Sequence, residues 1–324
     1  MKHDQRRRQA RPLRIVMAVA ALIVLAAVIV AVGRRHTGAP EAAPPPGTLP
    51  HTPATYLGVY AEKVPVTYSG VAAFASETGV APDVVMYYSS WYEQFHASFA
   101  KTVVQHGAVP LIQIEPYHVS LAAIAAGQYD AYLSAYASAV RLFGHPVILS
   151  FGHEMNGNWY SWGHQHASPT AFVAAWRHIV TLFRDLGARN VTWMWTVNII
   201  DLRHDKIPSP VPWWPGNSYV NWVGIDGYYF KSNYGFAPLF GPTIAQVRTL
   251  THDPILISET GVASNAGQPG KIADLYAGVK AYGLLGFIWY DAIDTNVANY
   301  RIDNNPAALA AFRQGAKTYK WPGT

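Results

Sequence analysis

Pro146-Val147-Ile148-Leu149-Ser150-Phe151-Gly152-His153-Glu154-Met155-Asn156-Gly157-Asn158-Trp159 is the stretch on which the fold turns. An apolar run of strand length follows Gly144-His145-Pro146 and stops at Gly152, where a glutamate opens a loop of polar and aromatic residues. A run that is apolar throughout is buried on both faces, as in a parallel sheet covered by helices. Glu154 is therefore expected at the lip of a sheet or barrel, outside its core. Pro254-Ile255-Leu256-Ile257-Ser258-Glu259-Thr260-Gly261 has the same form, and its glutamate comes 105 residues later.

Outward from these two segments the pattern recurs. Strand-like runs stand at Tyr56–Tyr60, Val84–Tyr88, Val109–Ile114, Val147–Phe151, Val191–Val197, Trp222–Ile225, Ile255–Ile257 and Leu285–Tyr290. Helix-like segments lie at about 68–78, 94–106, 128–143, 169–186, 241–251, 268–282 and 306–317, and the connection from Asn198 to Tyr219 carries only a weak helical signal. Eight strand–helix repeats predict one α/β domain, a (β/α)8 TIM barrel. The alternative is an open doubly wound sheet, which would place a glycine-rich turn after its first strand. This chain has Ala61-Glu62-Lys63-Val64-Pro65 there.

A barrel builds its active site from the C-terminal strand ends. Those ends read Ser89-Ser90-Trp91, Glu115-Pro116-Tyr117-His118, His153-Glu154, Thr196-Val197-Asn198, Asp226-Gly227-Tyr228-Tyr229, Glu259-Thr260 and Trp289-Tyr290-Asp291. Polar and aromatic side chains gathered at one end of the strands point to a site rather than to packing alone. Trp159, Tyr160 and Trp162 offer flat apolar faces for sugar rings.

The chain has 324 residues, half of them hydrophobic, and no cysteine, which excludes disulfides, thiolate catalysis and cysteine-held metals. Residues 1–14 form a basic tail. Residues 15–32, Ile15 to Val32, are 18 uncharged apolar residues, long enough to span a membrane. The excess of Lys and Arg before them places the N-terminus in the cytoplasm and the rest outside it. A cleaved signal peptide, giving a secreted protein, is the rival reading; Gly33-Arg34-Arg35-His36 is a poor cleavage context. A proline-rich linker covers 33–53, with Pro44-Pro45-Pro46 within it, and the catalytic domain covers 54–324. The net charge of +5 comes from the tail: 1–36 hold eight of the 24 Lys/Arg and one of the 19 Asp/Glu, leaving 16 against 18. The globular part carries no basic stripe, so nucleic acid is not an expected partner.

Two carboxylates across a barrel mouth can cleave a glycosidic bond, one as acid/base and one as nucleophile. His153-Glu154-Met155-Asn156-Gly157-Asn158-Trp159-Tyr160, with Trp222-Val223-Gly224-Ile225-Asp226-Gly227-Tyr228 and Ser258-Glu259-Thr260-Gly261, resembles glycoside hydrolase family 26 over roughly residues 54–320. The resemblance implies a retaining endo-β-glycanase acting mostly on β-1,4-mannan, in some members on mixed-linkage β-glucan or β-1,3-xylan. It implies Glu154 as acid/base and Glu259 as nucleophile. His153 would support the acid or the substrate, Tyr228 would hydrogen-bond the nucleophile, and Trp159 and Trp289 would be sugar platforms. Asn156, Glu115 and Trp91 join the expected substrate contacts from their places at strand ends. The chain departs from many mannanases in having Ser150-Phe151-Gly152 where they have Arg-Pro, and Glu115-Pro116 where they present a histidine. That ending looks more like the β-glucan-cleaving members.

Other motifs carry less. Trp193 and Trp195 share one strand face and read equally as core. Trp213-Trp214-Pro215 reads as a distal subsite or a packed lid. His164 and His166 lack a third ligand, so no metal is expected, and the chemistry implies no cofactor. Gly157 stands where a zinc protease would have its second histidine, and no Gly-x-Ser-x-Gly occurs. A silent carbohydrate-binding protein and a transglycosylase are the competing functions. A polysaccharide partner and a monomer are expected.

Overall fold

The computed structural model describes residues 49–200, 207–295 and 297–319. Each apolar run forms a strand: β1 Tyr56–Ala61, β2 Val84–Ser90, β3 Val109–Glu115, β4 Val147–Phe151, β5 Val191–Asn198, β6 Trp222–Asp226, β7 Ile255–Thr260 and β8 Gly286–Asp291. All neighbours pair in parallel, and β8 returns to β1 in register from Tyr56↔Gly286 to Ala61↔Asp291, closing the barrel. Closure excludes the open sheet.

Helices cover the outside: α1 Ser69–Thr78, α2 Ala97–Gln105, α3 Leu121–Ala125, α4 Asp130–Phe143, α5 Pro169–Asp185, α6 Phe236–Arg248, α7 Gln268–Ala281 and α8 Pro306–Lys317. Local chemistry sets their ends. Ser168 accepts from the Ala171 amide at 3.2 Å ahead of Pro169, and Asn305 accepts from Ala308 at 3.1 Å ahead of Pro306. Gly79 and Gly144 close α1 and α4 in the left-handed conformation. Between β5 and β6 the described residues form only short 3-10 turns, Val211–Trp213 and Asn217–Tyr219.

α6 starts at Phe236, five residues before the expected 241, where Gly241-Pro242 reads as a break. Phe236, Leu239, Phe240, Thr243, Ile244 and Val247 are buried along one stripe at helical spacing. Burying that stripe outweighs the hydrogen bond that Pro242 cannot donate.

Strand alternation sorts side chains into two apolar layers. Tyr56, Val84, Met86, Leu111, Ile148, Met194, Trp222, Leu256 and Ile288 fill the barrel interior. The alternate residues, among them Val191, Trp193, Trp195 and Val197 of β5, pack outward under the helices. Trp193 meets Trp176 and Phe183, and Trp195 meets Trp214, so both belong to the outer core. Among the described residues no helix is long and apolar enough to cross a membrane. The tail 1–14, the run Ile15–Val32 and the linker up to residue 48 lie outside the described residues.

Candidate active site

Inward parity continued past the apolar interior builds the mouth. Two residues above Met86 stands Tyr88, above Met194 come Thr196 and Asn198, and above Ile288 comes Tyr290. Each is the next inward position on its strand.

Glu154 leaves β4 at φ 54, a left-handed turn uncommon for a residue with a side chain. Its amide donates to the Thr196 carbonyl at 3.0 Å, and its own carbonyl accepts from the Gly157 amide at 2.8 Å. The turn folds Trp159 back over the acid. The indole Nε1–H donates to Glu154 Oε2 at 2.7 Å, and the Asn198 amide donates to Oε1. Gly157 makes this fold possible: a Cβ there would stand 2.3 Å from the Trp159 ring. Glu154 is 8% exposed, and burial first, then the charge of Glu259, pushes its pKa up to about 8.

Glu259 reaches the mouth through a bulge. Gly224 and Asp226 of β6 pair with Leu256 and Glu259 of β7, so Ile257 and Ser258 together oppose Ile225, and the β7–β8 register slips between Ile257 and Thr260. The extra residue turns Ser258 and Glu259 to the same side. Ser258 Oγ donates to Asp226 Oδ1 at 2.5 Å. Glu259 accepts two hydroxyls, Tyr88 on Oε2 and Tyr228 on Oε1. Burial raises its pKa, and the two tyrosine donors oppose that rise by stabilising the carboxylate.

Two further carboxyls crowd this site. Asp226 is fully buried, and burial together with Glu259 and Glu154 holds it well above the carboxylate range. Glu115 at the end of β3 is pushed up to about 7 by burial, then by Glu259 and Glu93. None of the four makes an ion pair with Lys or Arg among the described residues. The mouth therefore favours partial protonation.

The structure brings Glu154, Glu259, Tyr228, Trp159 and Glu115 to one end of the barrel. Four other expected contacts are buried. Trp289 is fully buried and points outward onto Phe312, with ring centroids 5.7 Å apart. Tyr290, the next residue, faces the mouth and stacks on Tyr60 at 4.7 Å. Asn156 is buried, and its side chain is spent on backbone: it donates to Asn198 O at 2.9 Å and accepts from Asn198 N at 2.9 Å. It thereby sets the asparagine that holds Glu154. Trp91 is 6% exposed, wedged among Tyr129, Tyr132 and Phe151. His153 is buried between Tyr88 and Tyr160, meeting the Tyr160 hydroxyl at 3.1 Å. Burial lowers its pKa to about 3, which favours the neutral imidazole. Of the three aromatics after Glu154 only Trp159 is exposed; Tyr160 stacks on the buried Trp162 at 4.3 Å.

Tyr88 and Tyr60 escape a reading of sequence, and Asn198 and Tyr290 are read only as members of strand ends, without a role. The signal that finds them is strand parity, which an all-apolar run such as Val84–Tyr88 conceals.

A model of glycosyl hydrolase family 26 matches residues 119–261. Endoglucanase H of Acetivibrio thermocellus is 28% identical over 262 residues, covering 76% of this chain and 29% of that protein. The mannan endo-1,4-beta-mannosidase A and B of Caldalkalibacillus mannanilyticus is 30% identical over 93 residues, 26% of this chain and 17% of that protein. The chain thus spans under a third of the length of these curated relatives. Among solved structures, a modular endo-beta-1,4-mannanase from Cellulomonas fimi superposes with a TM-score of 0.63 at 18% identity, covering 81% of this chain and 70% of that one. That last likeness is one of fold.

Proposed function

Because the chain belongs to glycosyl hydrolase family 26, we propose that it is a retaining endo-β-glycanase that cleaves internal β-1,4 linkages by double displacement. One observation carries the reading. Two buried carboxyls share a mouth and are held differently, Glu259 by two hydroxyl donors and Glu154 at a pKa of about 8.

In the first step Glu259 attacks the anomeric carbon while Glu154 gives its proton to the departing glycosidic oxygen. A glycosyl ester on Glu259 results, and the shortened chain leaves as an alcohol. In the second step Glu154, now ionised, takes a proton from water as the water displaces Glu259. The hydroxyls of Tyr88 and Tyr228 favour the ionised form of Glu259 and aim it. Trp159 orients the acid with its N–H and offers its exposed ring to the sugar next to it.

For the glycan, β-1,4-mannan is what the resemblance implies first. Two observations favour a mixed-linkage β-glucan instead. The relative matched over most of the barrel is an endoglucanase, and Glu115 stands where many mannanases present histidine. We put the β-glucan first and mannan second. Residues 15–32 would anchor the domain on the outer face of the cytoplasmic membrane, a reading supported by their unbroken apolar run and the positive charge before it.

The test is product analysis with the full-length protein on mixed-linkage glucan, mannan and xylan. Proton NMR should show first products of retained configuration. Glu259→Ala should lose turnover, and added azide should restore part of it as a glycosyl azide of inverted configuration. Inversion by the wild type would sink the double displacement, and binding without cleavage would favour a silent carbohydrate-binding protein.

A further inference from the structure

We infer that Tyr92 is a second sugar platform, carrying the part of the glycan that runs past the cleavage point on the β2 side of the mouth. The inference rests on the endo-glycanase reading above.

Three observations carry it. First, Tyr92 is 62% exposed, more than any other aromatic side chain of the described residues. Its ring is not loose. Tyr129, Tyr132 and Trp91 meet it at steep angles with centroids 6.1, 5.5 and 6.4 Å away. A ring braced by its neighbours and still open to solvent loses little freedom when a sugar settles on it.

Second, the backbone of Tyr92 is left-handed, with φ 74. That conformation disfavours a bulky side chain, and glycine or asparagine would hold the turn more easily. Apart from Ala54, every non-glycine residue at positive φ among the described residues lies in the loops after β1 to β4: Lys63, Tyr92, His118, Glu154 and Gln165. Strain of this kind gathers at functional surfaces, and here it marks the arc of the rim that contains Glu154.

Third, Tyr92 stands close to the site along the chain. It follows Tyr88, which holds Glu259, by four residues, at most about 14 Å of extended chain. The loop between them is pinned, since the Ser90 amide donates to Glu93 Oε2 at 3.1 Å and the Tyr132 hydroxyl donates to Glu93 O at 3.2 Å. A pyranose presents C–H groups on its faces and hydroxyls on its edge. The open ring of Tyr92 suits the first, and the exposed side chains of Glu93 and Gln94 suit the second.

The experiment uses Tyr92→Asn in the full-length protein, kept in mild detergent. Asparagine removes the ring and suits the left-handed turn, so melting should be unchanged or raised. In a Glu259→Ala background, native gels containing mixed-linkage β-glucan or glucomannan should show about 3- to 10-fold weaker binding. In the active enzyme, the ratio of kcat/KM on long glucan to kcat/KM on an aryl disaccharide should fall by a similar factor. Equal retardation of both proteins would overturn the inference, as would parallel loss on polymer and aryl substrate. A protein that binds glucan through Tyr92 but cleaves nothing would uphold the platform and sink the catalytic reading alone.

Discussion

Tyr88→Phe isolates one of the two hydroxyls that hold Glu259. The ring contacts survive, because the Tyr60 and His153 rings pack on the Tyr88 ring with centroids 5.3 and 5.6 Å away. What goes is a hydrogen bond to a charged acceptor, worth about 1.5–3 kcal/mol. That loss falls on the ionised form of Glu259. Tyr228 remains on Oε1 and takes up part of the loss. The sign follows from the donor. It stabilises the ionised form, so its removal raises the pKa, and the acidic limb of kcat/KM moves to higher pH. The plateau should fall about tenfold, since Glu259 is also aimed less well. The assay is kcat/KM on a soluble β-glucan from pH 4 to 9, with melting curves alongside. An acidic limb that stays in place or moves down would refute the reasoning.

Glu154→Gln should stabilise the fold while abolishing acid catalysis. With a folded pKa of about 8 against an ordinary value of 4.5, the folded protein holds a proton that the unfolded chain releases as pH rises. That stability is complete below 4.5 and is lost as pH climbs through about 8. The variant's advantage in urea titrations should therefore grow from pH 4.5 to 8, on the order of a few kcal/mol, then level off; an advantage independent of pH would contradict it. Trp289→Ala should cost about 3–5 kcal/mol of stability by opening a cavity under α8, with near-normal turnover by the molecules that remain folded. Tyr290→Ala should do the reverse, losing kcat/KM with a smaller effect on melting, and the opposite ranking would place the mouth on the wrong strand face.

Much of this could be read from the chain alone. Eight apolar runs divided by helical segments foretell a barrel, because local hydrophobic spacing decides whether a segment is strand or helix. The glutamates Glu154 and Glu259 declare themselves by standing where such runs break. Other features lay out of reach for a physical reason. A strand buried on both faces has no polar alternation, so nothing in Phe287-Ile288-Trp289-Tyr290 tells which ring turns inward; barrel closure points Tyr290 to the mouth and Trp289 to Phe312. The bulge that swings Glu259 inward exists only in the register of β7 against its two neighbours. The hydroxyl of Tyr88 meets a carboxylate 171 positions away, a contact that no local pattern encodes. It forms because the ends of β2 and β7 both open on the same barrel mouth.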